Sequence, residues 1–252
     1  MILHAIEAGE GCPVVLLHGL FGSARNFGAV QRELARERRV LALDLRNHGE
    51  SPHDPHMDYR VMAEDVIETL RAHDAVPCAL IGHSMGGKAA MRVALDQPGA
   101  INRLVVSDIA PVAYRPAFRA YADAMLGIEL RPGLTRGAAD AMLAGAVPDP
   151  AIRGFLLQNL RTGPAPSWRC NLPAIAAALA AIEGWEAPQG RQYPGPALFV
   201  SGSRSDYIRL EHRPVIRALF PATRFVTVKD ASHWVHADNP AGFTGVVTAF
   251  LS

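Results

Sequence analysis

The chain has 252 residues, 49% of them hydrophobic and 19% charged, with a formal net charge of +1. That length suits one α/β domain of the larger kind carrying an insertion, and a chain of this size buries about 70–75% of its unfolded surface without help from a disulfide or a metal. The near-neutral balance argues against nucleic acid or an anionic membrane as partner, and no apolar run reaches the roughly 18–20 residues that cross a bilayer.

The elements follow in chain order. Residues Met1 to Gly9 lack the basic and apolar regions of a secretory leader, which points to the cytoplasm. Val14 to Leu17 predicts a buried strand ended by His18-Gly19, and Val40 to Leu45 predicts another after a helical stretch over Phe27 to Arg36. Tyr59 to His73 repeats apolar residues with a helical period. Cys78 to Ile81 reads as a strand, Lys88 to Asp96 as the helix behind it, and Ile101 to Asp108 as the next strand. Strands alternating with helices imply parallel pairing and right-handed crossovers.

After Pro111 the rhythm changes. Tyr114 to Tyr193 reads as helical, alanine-rich segments broken by Pro and Gly, without a convincing strand. Pro196 to Ser201 resumes the strand pattern, followed by a helix over Leu210 to Phe220 and a strand over Arg224 to Val228. A last helix opens with Asn239 as N-cap and Pro240 in its first turn. The expected fold is a mostly parallel α/β sheet with helices on both faces. Its core spans residues 1–112 and 194–252, and a helical cap spans 113–193.

Gly82-His-Ser-Met-Gly86 lies between a buried strand and a helix, the setting of a nucleophile elbow. Ser84 is the expected nucleophile, with the Met85 N–H at a helix start facing developing negative charge. A serine hydroxyl needs a base. Among ten histidines, His233 stands after the last strand and is the expected base. His236, three residues on, reads as a surface or capping residue. His18 and His83 read as loop braces, and His48, His53 and His56 as residues of a polar loop that line the entrance or are solvated.

The base needs a carboxylate, and from position alone Asp108 and Asp206 are equal candidates, each just beyond a strand. Leu20 is the expected second oxyanion donor beside Met85, with Phe21 as its substitute; losing one such donor costs about 3 kcal/mol of barrier. The three cysteines, Cys12, Cys78 and Cys170, fit no metal spacing and read as small core fillers. No cofactor or metal is expected. Lys88 reads as an ordinary residue of the elbow helix, and Arg46 and Asn47 as residues that fix their loop. Phe155, Leu156, Leu160, Trp168 and Trp185 read as cap core before acyl pocket.

Several segments together, His18 to Ser23, Asp44 to Gly49 with Ser51, Gly82 to Lys88, Asp108 to Pro111, Trp168-Arg169 with Asn171, and His233 to Ala237, resemble the YbfF-like esterases and their mammalian abhydrolase-domain relatives. The match runs over essentially the whole chain and is weakest from Tyr114 to Ser167. The resemblance implies the α/β-hydrolase fold and a cytoplasmic carboxylesterase that attacks small acyl esters, with acyl thioesters as an alternative and water as co-substrate; perhydrolysis, with peroxide as acyl acceptor, is a further alternative on the same residues. It favours Asp108 as the acid and implies a relay role for Ser205. Asp206 departs from the family pattern and stays open as an additional or substitute acid. A catalytically silent binding module on the same scaffold is the rival of another class; a complete set of site residues argues against it. Oligomeric state is not readable from the sequence.

Overall fold

A computed structural model describes residues 1–252. Strand β1 (Ala5–Ala8) leads to β2 (Pro13–Leu17), helix α1 (Gly28–Leu34) and β3 (Arg39–Leu43). Helix α2 (Tyr59–Ala72), β4 (Cys78–His83), α3 (Met85–Asp96) and β5 (Ile101–Ser107) follow. The next stretch holds α4 (Arg119–Leu126), α5 (Arg136–Leu143), α6 (Pro150–Leu157), the two-residue strands β6 (Leu160–Arg161) and β7 (Ser167–Trp168), and α7 (Leu172–Glu183). The chain closes with β8 (Ala197–Gly202), α8 (Arg213–Leu219), β9 (Thr223–Val228), α9 (Val235–Asp238) and α10 (Pro240–Leu251).

Seven strands form one sheet in the order β1-β3-β2-β4-β5-β8-β9. Only β1 runs antiparallel; every other neighbour pair is parallel. Strand β2 shows why the sheet is covered on both sides. Val15 and Leu17 belong to the larger apolar core on one face, while Val14 and Leu16 belong to a second core on the other. The expected α/β-hydrolase architecture is therefore present.

Two expectations change. Strand β1 was not read from the sequence: it is a four-residue edge strand whose exposed Glu7 breaks the apolar run. The region after Pro111 does contain strands, since Leu160 pairs with Trp168 and Arg161 with Ser167. Two residues are too few to show a period of two. Cys78 and Cys170 are buried, but Cys12 is exposed and fills no core. No helix is long and apolar enough to cross a membrane.

The segment between β5 and β8 shares the larger apolar core and is tied to the β3–α2 loop and the start of α2 by polar contacts. Glu50 pairs with both Arg161 and Arg169. The Asn171 N–H donates to the Asn47 carbonyl at 2.8 Å, and the Tyr59 hydroxyl donates to the Ile182 carbonyl at 2.5 Å.

Candidate active site

Ser84 stands between the end of β4 and the start of α3, with φ 52° and ψ −120°. A non-glycine residue in this region carries strain that the surroundings must hold. The neighbouring glycines make the turn possible. A Cβ on Gly82 would lie 2.2 Å from the Gly86 carbonyl oxygen, and one on Gly86 would lie 2.4 Å from that of Leu17. The Ser84 N–H is tied to the Ser107 carbonyl at 3.0 Å, which braces the turn against β5.

The Ser84 hydroxyl lies 3.0 Å from Nε2 of His233, and Nδ1 of His233 lies 2.8 Å from Oδ2 of Asp108. A carboxylate accepts, so Nδ1 carries the proton and Nε2 is free to receive one from the serine. Asp108 directly follows β5, has φ 52°, and is fully buried. It also accepts from the Ser205 hydroxyl at 2.5 Å and from the Gly202 N–H at 3.2 Å. Asp206 is exposed and makes no bond to His233, so the structure brings Asp108 to the histidine and Ser205 to Asp108 but leaves Asp206 at the surface. On its other side His233 is stacked by Tyr207, ring centroids 3.9 Å apart.

The loop His18 to Gly22 faces the serine. Nε2 of His48 accepts the Phe21 N–H at 3.2 Å, whereas the Leu20 N–H meets no acceptor. Met85 opens α3, so its N–H has no partner within the helix. Leu20 and Met85 therefore present free amides near Ser84, and Phe21 does not.

His48 was expected in the entrance or in solvent. It is fully buried, its Nδ1 donates to the Arg46 carbonyl, and burial lowers its pKa to about 3. His53 and His56 are the exposed members of that loop. His18 is buried and held neutral by burial; its Nδ1 donates to the Gly19 carbonyl and its Nε2 accepts from the Leu45 N–H. Burial also lowers His83, whose Nε2 donates to the His233 carbonyl at 2.8 Å. These rings brace the two loops that flank the serine, as expected for His18 and His83. Arg46 donates to Asp65 at 2.6 Å, and the Asn47 side chain donates to the Asp54 carbonyl and accepts from the Asp54 N–H, so both fix their loop.

His236 is a correction of another kind. It is buried, stacks on Phe27 at 4.5 Å, and leaves Nδ1 without a partner. Burial, and then the neighbouring His233, lower its pKa to about 4. Helix α9 starts one residue earlier, so its first turn folds the ring inward instead of exposing it.

Lys88 is also not an ordinary helix residue. It is 1% exposed, its ammonium donates to the carbonyls of Ile182, Glu183 and Gly184, and burial draws its pKa down to about 7. Sequence reading missed this clamp and the Tyr207 stack. The one available hint was position, since Lys88 follows Ser84 by one helical turn.

A cavity of about 260 Å³ opens on Ser84 and His233. Phe155 and Leu156 line it; Leu160, Trp168 and Trp185 do not. No three His, Cys, Asp or Glu side chains come together to hold a metal ion.

Residues 14–246 match the model of the alpha/beta hydrolase family. The chain belongs to that family. Within this α/β hydrolase family, the chain is 43% identical over 249 residues to a mouse protein named sn-1-specific diacylglycerol lipase ABHD11, covering 95% of this chain and 80% of that one. It is 36% identical over 242 residues to esterase YbfF of Escherichia coli K12, covering 95% and 93%. A solved marine microorganism esterase superposes with a TM-score of 0.94 at 33% identity, covering 99% of both chains. The resemblance read from the motifs holds, and this α/β hydrolase is an enzyme of the serine ester hydrolase kind.

Proposed function

We propose that this α/β hydrolase cleaves carboxylic esters of small molecules through an acyl-enzyme on Ser84. The observation that carries the reading is the continuous chain of contacts from the Ser84 hydroxyl through His233 to Asp108, at 3.0 and 2.8 Å. His233 Nε2 takes the hydroxyl proton as Oγ attacks the acyl carbon. The negative charge that develops on the carbonyl oxygen is received by the Leu20 and Met85 N–H groups, which need no reorganisation to meet it. Asp108 steadies the imidazolium, and the Ser205 and Gly202 donors hold that carboxylate in place. His233 then protonates the leaving alcohol. Water repeats the sequence from the acyl-serine and releases the acid.

Residues 113–193 act as a cap over the serine in this reading. Support comes from Phe155 and Leu156, which reach from that segment into the cavity, and from the Lys88 clamp beneath it. Three free cysteines suit a reducing compartment, and we place the enzyme in the cytoplasm.

Turnover of p-nitrophenyl esters by the wild type and by Ser84→Ala tests the proposal. Loss of turnover to background in the variant, with an acyl mass adduct on Ser84 in the wild type, is expected. Equal rates in the two proteins would sink it.

A further inference from the structure

Two cavities meet at Ser84, and they differ in size and lining. The larger, about 260 Å³, is walled by His233 and Trp234 with Ile152 and Phe155 beyond them. The smaller, about 30 Å³, reaches past Met85 to Ile109, Tyr114 and Lys88, and neither His233 nor Trp234 lines it. Leu20, Ser84 and Tyr207 border both.

The chemistry allots one part of the ester to each cavity. The leaving oxygen must come within hydrogen-bond reach of His233 Nε2, which protonates it. The alcohol therefore lies in the cavity that His233 lines. The acyl chain points the other way, past the Met85 amide and into the small cavity.

We propose that this enzyme selects esters of short acyl groups, acetyl or propionyl, on bulky apolar alcohols, and that Lys88 fixes the depth of the acyl arm. The proposal rests on the Ser84 acyl-enzyme reading above. A volume of about 30 Å³ accommodates roughly two water-sized groups, enough for the methyl or ethyl group of such an acyl chain. The larger cavity, by contrast, is walled mostly by carbon and suits an apolar alcohol.

Lys88 is a positioning residue here, not a ligand for the acyl group. An ammonium has three N–H bonds. All three face the carbonyls at the end of α7, at 3.4 Å for Ile182, 3.1 Å for Glu183 and 2.6 Å for Gly184. The charge also lies 5.6 Å from the Tyr59 ring centroid and 5.0 Å from that of Tyr114. The Glu183 carboxylate is turned away, accepting from the Ala117 and Phe118 N–H groups. Lys88 thus joins the end of α7 to the elbow helix one turn beyond Ser84 and closes the small cavity with a bond set that leaves nothing for substrate.

The test measures kcat/KM on p-nitrophenyl acetate, butyrate and octanoate, and on ethyl and hexyl acetate. Wild type, Ile109→Ala, Lys88→Met and Ser84→Ala are compared, with thermal melts to check folding. Wild type should favour acetate over octanoate by about 100-fold and hexyl over ethyl acetate by about tenfold. Ile109→Ala, which deepens the small cavity, should raise butyrate relative to acetate by about tenfold. Lys88→Met should flatten the acyl-length profile; if it fails to fold, Ile109→Ala decides alone. An octanoate preference in the wild type, or an unchanged acyl profile in Ile109→Ala, overturns the proposal while Ser84→Ala remains inactive. Ester turnover that survives Ser84→Ala instead overturns the acyl-enzyme reading, and the proposal with it.

Discussion

Tyr207 lies flat against His233, with ring centroids 3.9 Å apart and planes inclined by 21°. The stack presses the imidazole from the side that no hydrogen bond controls. Its two nitrogens are fixed by Asp108 and Ser84, but those bonds alone leave the ring free to rock about the line joining them. The Tyr207 backbone is itself held, since its carbonyl accepts from the Tyr114 hydroxyl at 2.7 Å.

Replacing Tyr207 by Ala should therefore lower kcat by about tenfold to a hundredfold, the scale on which small misplacement of a catalytic group is felt. Tyr207→Phe should keep most of the rate, because the ring does the holding. Steady-state kinetics on one p-nitrophenyl ester separates the two. Equal losses in both variants would mean that the hydroxyl, not the stack, matters.

The acid can be decided by a pair of isosteric changes. Asp108→Asn should lower kcat by about 10⁴, because an amide no longer fixes the imidazole tautomer that accepts the serine proton. Asp206→Asn should leave kcat within about twofold, as expected for an exposed side chain that makes no bond to His233. A crippled Asp206→Asn beside an active Asp108→Asn would reverse the assignment.

Stability should fall in mild acid. His48 and His236 are buried, with pKa values near 3 and near 4 against about 6.5 in an unfolded chain. Between those values the unfolded chain binds protons that the folded one refuses, so the unfolding free energy drops as pH falls from about 6.5 toward 4. Each group contributes at most about 1.4 kcal/mol per pH unit. Denaturant melts of the wild type and of His236→Phe from pH 7 to pH 4.5 check this. The ring of phenylalanine keeps the stack on Phe27 and removes the unpartnered nitrogen. The variant should lose close to one proton's worth of slope; an unaltered slope would show that His236 does not titrate on unfolding.

The sheet was largely legible in the sequence because its inner strands are buried on both faces. Val14 to Leu17 and Cys78 to Ile81 are apolar at every position, which leaves little else for them to be. The edge strand β1 escaped because one face meets water and interrupts the run at Glu7. The elbow was legible for a local reason: Gly82 and Gly86 stand where any Cβ would collide with backbone. Asp108 and Asp206 were not separable, since both follow a strand at the same end of the sheet and only the turn of each loop decides which carboxylate points inward. His48, His236 and Lys88 were misjudged for a shared reason. Their burial is set by chain far away in sequence, as with the carbonyls of Ile182 to Gly184 that enclose Lys88.

Strands β5 and β8 are direct neighbours in the sheet, and the whole helical segment from α4 to α7 departs and returns between them. No strand of the central sheet has its register set by that segment. The segment is one continuous insertion that contributes no strand to the central sheet. Its seat on the host combines apolar side chains of the shared core, such as Met125, Leu157 and Ile175, with a helix C-terminus offered to Lys88 and an asparagine opposite Asn47. Replacing that one continuous stretch of chain would rebuild the cavity wall at Phe155 and Leu156 and leave Ser84, Asp108 and His233 in place.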